Sequence, residues 1–216
     1  MRRATDASPI VFVVDDDISV RESLEPLIRT AGWRPETYAS ARAFLARPPA
    51  AAPCCLVLDV SLPDLNGLEL QQRIGTDRAD LPIIFITGHG DVPMTVRAMK
   101  AGAVEFLTKP FSADALRGAV ASAIERSRAA LQQQAGLRAL EIRYGTLSQR
   151  EREVMSLVVG GRLNKQIAGE LSISEITVKA HRGKVMRKMR AGSLAELVTM
   201  ASRLGVGLVA GMPAVF

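Results

Sequence analysis

The chain has 216 residues, 48% hydrophobic and 23% charged; these ordinary globular proportions exclude wholesale disorder and fibrous repeats, and no apolar run nears the roughly 18–20 residues of a membrane span. The length accommodates one large domain or two small cores of about 120 and 60 residues. Charge favours two: residues 1–126 hold 14 Lys and Arg against 16 Asp and Glu, a net of −2, whereas residues 127–216 hold 14 against 6, a net of +8, and an acidic part followed by a basic part points to two jobs.

The basic start, MRRATDAS, is followed by no leucine-rich segment or small-residue cleavage site, so no secretory signal is expected. The first part then alternates strand and helix. Ile10–Val14 is a β-branched run that reads as a strand, and Ser19–Ala31 is an amphipathic helix stopped by Gly32. Pro26 lies about two turns into that helix, where proline costs about 3 kcal/mol, so a kink or a late helix start is expected. Arg34–Tyr38 reads as a weak strand and Ser40–Ala46 as a short helix. Cys54–Asp59 is a buried-type strand, followed by the Pro/Asn/Gly loop SLPDLNG. Its adjacent cysteines, Cys54 and Cys55, are the only two in the chain; they exclude a disulfide framework and a multi-cysteine metal site, suit a reducing cytoplasm, and read as packing residues. Leu68–Ile74 is helical, Pro82–Thr87 a strand ended by GHGD, Val92–Ala101 a helix and Val104–Thr108 a strand, with another helix starting near Ser112. Five strands alternating with five helices imply a parallel sheet covered on both faces. Ligands of such sheets bind at the carboxyl ends of the strands, where the winding reverses.

The helix from Ser112 keeps an apolar stripe through Leu116, Val120, Ile124 and Leu131, and Leu137, Leu140 and Tyr144 continue it after a break at Gly136. Between them, SRAALQQQAG reads as a helical linker, either continuous or broken. The remainder is all helical. Ser148 and Glu151 have capping-box spacing before a run to Val159 that Gly160 and Gly161 end. Asn164–Leu171 is a second helix; SIS makes a tight turn with Ser174 as N-cap; Glu175–Met189 is a third helix and Ser193–Leu204 a fourth. Two helices joined by a short turn, the second basic, form the outline of a helix-turn-helix. Lys179, Arg182, Lys184, Arg187, Lys188 and Arg190 supply six cations without an acid, a stripe suited to a polyanion or to a solvated helix face. The tail GVGLVAGMPAVF is apolar, and either packs on the last helix or frays.

Chemistry concentrates at the strand ends. Asp15, Asp16 and Asp17 follow the first strand, Asp59 ends the third, Thr87 the fourth, and Lys109 follows the fifth. A lone Asp after a strand is usually a cap or turn residue, and Asp17 fits that role at the first helix. Site-type residues on four strand ends of one α/β pattern are harder to dismiss. Crowded carboxylates do not all stay ionised without a cation, and hard oxygen ligands favour Mg²⁺. A carboxylate beside Mg²⁺ can attack phosphorus and form an acyl phosphate. Lys109 would neutralise charge and the Thr87 hydroxyl would bond a phosphoryl oxygen, so the reading is phosphoryl transfer to Asp59.

Three stretches, IVFVVDDDISVRESL, CLVLDVSLPDLNGLEL and IIFITGHGDVPMTVRAMKAGAVEFLTKPF, resemble the receiver domain of two-component response regulators. A fourth, LSQREREVMSLVVGGRLNKQIAGELSISEITVKAHRGKVMRKM, resembles a LuxR-type helix-turn-helix. Their ordered combination is similar to the NarL/FixJ class, in its FixJ-like branch. The resemblance implies a flavodoxin-like doubly wound receiver over residues 8–125, a helical linker over 126–144, a helix-turn-helix domain over 145–205 and an apolar tail over 206–216. It makes Asp59 the phosphoacceptor, Asp16 a direct Mg²⁺ ligand, Asp15 a ligand largely through water, and the Ser61 carbonyl the third protein ligand. It sets Thr87 and Lys109 on the phosphoryl group, makes Lys109–Pro110 a cis bond, gives Phe106 the role of switch aromatic, and gives Ser61 and His89 control of the phosphate lifetime.

For the second domain the resemblance sends helix 175–189 into the major groove. Thr177, Lys179, His181, Arg182, Lys184 and Lys188 stand near DNA, and Asn164 and Lys165 open the supporting helix. Val178, Val185 and Met189 read as core. Ala180 and Gly183 are small where some relatives carry larger base-contacting residues, which leaves the target sequence open. The implied partners are promoter DNA, a sensor histidine kinase, a second copy of the chain when phosphorylated and RNA polymerase, with no membrane. The expected function is a cytoplasmic, phosphorylation-controlled transcription factor and not a dedicated enzyme. Two alternatives stay open: a DNA-binding protein whose receiver is only a dimerisation scaffold, and an aspartyl-phosphate phosphohydrolase, for which neither a dedicated general acid/base nor a substrate cap is found.

Overall fold

The structure, a computed structural model, describes residues 8–77, 81–88 and 91–207. The chain divides into two compact units between Gln132 and Gln133. The first is built on five parallel strands: β1 (Ile10–Val14), β2 (Arg34–Tyr38), β3 (Cys54–Asp59), β4 (Ile83–Thr87) and β5 (Glu105–Thr108), in the order β2-β1-β3-β4-β5. Between them run α1 (Ile18–Thr30), α2 (Ala41–Leu45), α3 (Gly67–Asp77) and α4 (Val92–Lys100), and α5 (Ala113–Gly145) follows β5.

The period-two alternation of the strands explains the two layers. Phe12 and Val14 of β1, Leu56 and Leu58 of β3 and Phe85 of β4 face one side, where Phe44 of α2, Leu70 and Ile74 of α3 and Ala98 of α4 close over them. Val11, Val13, Cys55, Val57, Ile84 and Ile86 face the other, against Leu24 and Ile28 of α1 and Leu116, Val120 and Ile124 of α5. Both faces being covered, β1, β3 and β4 are apolar almost throughout. Each fully buried large side chain contributes roughly 1.5–3 kcal/mol, which favours this layering over any slipped register. β2, with Pro35 inside it, lies at an edge, where a missing N–H costs least.

Pro26 delays nothing: α1 starts at Ile18, capped by Asp17, and runs through the proline to Thr30. The Thr30 hydroxyl donates to the Pro26 carbonyl at 2.8 Å. Cys55 is fully buried, and burial pushes its thiol strongly upward, as suits a packing residue.

In the second unit, α6 (Gln149–Val159), α7 (Asn164–Leu171), α8 (Glu175–Met189) and α9 (Leu194–Arg203) enclose a core with Val154, Met155, Ile167, Val178, Val185, Met189 and Leu197. The Ser148–Glu151 capping box forms as the spacing predicts. Between α7 and α8 the chain turns through Ser172, which takes a left-handed φ of 53°. Of the two readings of the linker, the structure shows the continuous one: α5 is helical for 33 residues, through Gly136. A glycine costs about 1 kcal/mol inside a helix, too little to outweigh buried Ile124 in the first unit's core and buried Leu140 in the second's. Of the apolar tail, Val206 packs with the second core, while residues 208–216 lie outside the described residues.

Candidate functional site

The strand order reverses its direction of winding between β1 and β3, and the acidic residues gather at the carboxyl ends of those two strands. Asp15 and Asp59 are buried, Asp16 is exposed, and one carboxylate oxygen from each lies within 4.8 Å of the others. The Lys109 ammonium donates to Asp15 Oδ2 at 2.7 Å and to Asp59 Oδ1 at 3.2 Å. Asp59 Oδ2 accepts from the Ser61 amide at 3.1 Å, and Asp15 Oδ1 from the Asp17 amide at 2.9 Å. Thr87 is buried at the end of β4, and its carbonyl accepts from the Lys109 amide at 2.7 Å, tying the two strand ends together.

Electrostatics follow from this burial. Desolvation pushes the Asp15 carboxyl up, more than its bonds from Lys109 and the Asp17 amide pull it down. Burial works to lower Lys109, but Asp15 and Asp59 outweigh it and hold the ammonium above its ordinary value. Two buried carboxylates and a third at the rim form a donor set of hard oxygens, which fits a divalent metal ion with several retained waters.

Three residues that shape this site carry no signature in the sequence. Arg21 of α1 donates through Nη1 to the carbonyls of Asp15 at 2.6 Å and Asp16 at 2.9 Å, fixing the acidic loop from behind. Asp64, in the loop after β3, accepts from the Ala41 and Arg42 amides at the start of α2. Gly67 opens α3 so close to β3 that a Cβ there would lie 2.5 Å from the Asp59 carbonyl oxygen. The SLPDLNG stretch announces a loop, but not that its glycine lies against the Asp59 end of β3. Of the other expected residues, Ser61 is exposed beside Asp59, and Phe106 is half-buried on β5, its ring 6.1 Å from that of Phe85. The Lys109–Pro110 bond is cis. His89 lies outside the described residues.

On the second unit the expected DNA residues separate into two groups. Lys165, Lys179 and Lys184 are exposed. Four others are engaged within the unit, Asn164, Thr177, Arg182 and Lys188: Arg182 Nη1 donates to Asn164 Oδ1 at 2.6 Å, and the Thr177 hydroxyl lies 2.8 Å from that of the N-cap Ser174. Lys188 donates to Glu151 Oε2 at 2.6 Å and to the Thr146 carbonyl at 3.0 Å, so its charge is tied to α6. His181 is half-buried, with Nδ1 buried and without a hydrogen bond. Ile176, which the motif reading passes over, is 80% exposed.

Two family models match the chain: the response regulator receiver domain over residues 11–121 and the luxR family of bacterial regulatory proteins over residues 145–201. Nodulation protein W of Bradyrhizobium diazoefficiens is 52% identical over 197 residues, 91% of this chain and 87% of that protein. The transcriptional regulatory protein FixJ of Rhizobium meliloti is 45% identical over 91% of this chain and 97% of its own. Among solved structures, the response regulator StyR aligns with a TM-score of 0.81 at 47% identity, covering 91% of this chain and all of that one. The chain therefore belongs to the two-component response regulators of the NarL/FixJ class, which join a receiver to a LuxR-type DNA-binding domain. It is a transcriptional regulator with DNA and a sensor kinase as partners.

Proposed function

We infer that Asp59 accepts a phosphoryl group from the partner kinase's phosphohistidine, and that this modification controls DNA binding by α8. The observation that carries the reading is the convergence of Asp15, Asp16 and Asp59 within 4.8 Å, with Lys109 bridging two of them. A carboxylate oxygen of Asp59 attacks phosphorus, the donor's P–N bond breaks, and the imidazole nitrogen leaves with the electron pair. Asp15, Asp16, Asp59 and the Ser61 carbonyl would hold Mg²⁺, which when bound offsets the charge of carboxylate and phosphoryl group during in-line transfer. Lys109, already on Asp59, exchanges a carboxylate oxygen for a phosphoryl oxygen, and Thr87 donates its hydroxyl to another. The Ser61 side chain and His89 govern access of the water that later hydrolyses the acyl phosphate.

Phosphorylation adds about 1.5 to 2 negative charges and three acceptor oxygens. Thr87 moving toward them frees space that Phe106, on neighbouring β5, paired with Phe85 and two positions from Thr87's partner Thr108, fills by turning inward. The consequence is a changed α4–β5 surface and pairing of two copies, so that two α8 helices read paired half-sites. Lys179 and Lys184 make contacts to DNA, Lys165 and Asn164 position phosphates at the start of α7, and RNA polymerase is the machinery the bound dimer addresses.

Intact mass after incubation with acetyl phosphate and Mg²⁺ tests the first step. One phosphoryl addition is expected in the native chain, and none in Asp59→Asn or without Mg²⁺. An addition that survives in Asp59→Asn would place the acceptor elsewhere.

A further inference from the structure

Helix α8 has two unlike faces. Val178, Val185 and Met189 are buried in the second unit's core. At about 100° per residue, the opposite face carries Ile176, Ala180, Gly183 and Arg187, all exposed. Ile176 is 80% exposed one position inside the helix, where a β-branched side chain adds little to helix stability. Gly183 sits mid-helix, the weakest residue there short of proline. A Cβ at that position would meet nothing within 4 Å, so no packing inside the unit asks for glycine. Both choices run against the helix's own stability, and both are explained by a partner lying against its outer face.

The chemistry around the stripe defines that partner. Exposed Lys179 and Lys184 flank it on either side, and Arg187 continues it. Arg182 and Lys188, which could read bases by hydrogen bonding, are held by Asn164 and Glu151. A cation-flanked apolar stripe with few free hydrogen-bonding groups suits a polyanion that exposes apolar groups inside a groove. Duplex DNA does so in its major groove, through the thymine 5-methyl group. Ile176 to Gly183 spans about 10 Å of helix, or three base steps at about 3.4 Å.

We propose that Ile176 reads thymine methyl groups in the major groove, and that the bare backbone at Gly183 lets α8 sit deep enough for that contact. The proposal rests on α8 being the DNA-contacting helix. Its test uses the full-length chain treated with acetyl phosphate and Mg²⁺, and duplexes selected from a random pool. Each thymine of a selected duplex is replaced by deoxyuridine in turn, which removes only the methyl group. The native chain loses affinity about fourfold at one or two positions, the worth of one buried methyl. Ile176→Ala loses a similar factor on the thymine duplex and none on the uracil duplex. Gly183→Leu keeps or raises the melting temperature, yet binds every duplex more than tenfold more weakly. Indifference of the native chain to every deoxyuridine, an Ile176→Ala loss equal on both duplexes, or undiminished binding by Gly183→Leu overturns the proposal while leaving α8 as the DNA-contacting helix. Failure of the native chain to bind any duplex removes that underlying reading as well.

Discussion

Gly67 does nothing chemically, yet the position of Asp59 depends on it. A Cβ there would lie 2.5 Å from the Asp59 carbonyl oxygen and 3.0 Å from Val60 Cα, both backbone atoms that cannot swing aside. Gly67→Ala therefore displaces either the start of α3 or the end of β3. The expected cost is about 1–3 kcal/mol of receiver stability, read from the urea midpoint, together with slower phosphoryl uptake at Asp59, read by intact mass. Gly75, within the same helix with nothing near its missing Cβ, is the control. Gly75→Ala should leave uptake unchanged and raise stability by about 0.5–1 kcal/mol. Equal behaviour of the two variants would reject the close-approach argument. The contrast also explains what the sequence makes legible at this scale. Asp15, Asp59, Thr87 and Lys109 stand out because their side-chain chemistry is conspicuous at strand ends. Arg21 and Gly67 do not, because they act on backbone atoms of residues five to eight positions away, and the backbone carries no side-chain signature in the sequence.

At the scale of elements, capping and tying matter more than propensity. Glu151 is buried at the start of α6, where it closes the capping box with Ser148 and accepts from Lys188 of α8 at 2.6 Å. The Lys188 bond, with the Ser148 amide, holds its carboxyl below the ordinary value of 4.5. Because the folded state keeps Glu151 ionised more readily than the unfolded state, this contribution is fully present above about pH 4.5 and disappears as pH falls through the lower folded value. Glu151→Gln should then cost about 1–2 kcal/mol at neutral pH, at the low end for a charged hydrogen bond because Lys188 is one-third exposed. The gap between the native and Gln chains should close as the pH of urea unfolding is lowered below 4.5 and through the lower folded value. A gap that stayed constant with pH would assign the loss to packing instead. The capping box itself is readable from S-x-x-E, whereas the pairing with Lys188, 37 residues on, is not: a cation in a basic run looks equally suited to DNA. The continuity of α5 is hidden for a similar reason. Local preference at Gly136 argues for a break, and only the burial of Leu140 beyond it overrides that preference.

Across the whole molecule, the split between a net −2 and a net +8 is visible before any element is assigned. It has a measurable consequence in how DNA affinity responds to salt. Each phosphate neutralised by a side chain releases counterions, so the logarithm of affinity falls with the logarithm of salt at about −0.9 per contact. Lys184 is exposed, and the proposed binding mode gives it one such contact per copy. Lys184→Gln should therefore shallow the slope by about 1.8 if two copies bind together and by about 0.9 if one does. Asp59→Asn leaves every cation of the second unit in place. With or without acetyl phosphate, it should keep the salt slope of the unphosphorylated native chain and show no gain in affinity from the phosphodonor. The two variants divide the molecule along its charge boundary: one alters electrostatic binding without touching the switch, the other disables the switch without touching the cations. A receiver serving only as a scaffold would break that division, because Asp59→Asn and the native chain would then bind alike with and without the phosphodonor at every salt concentration.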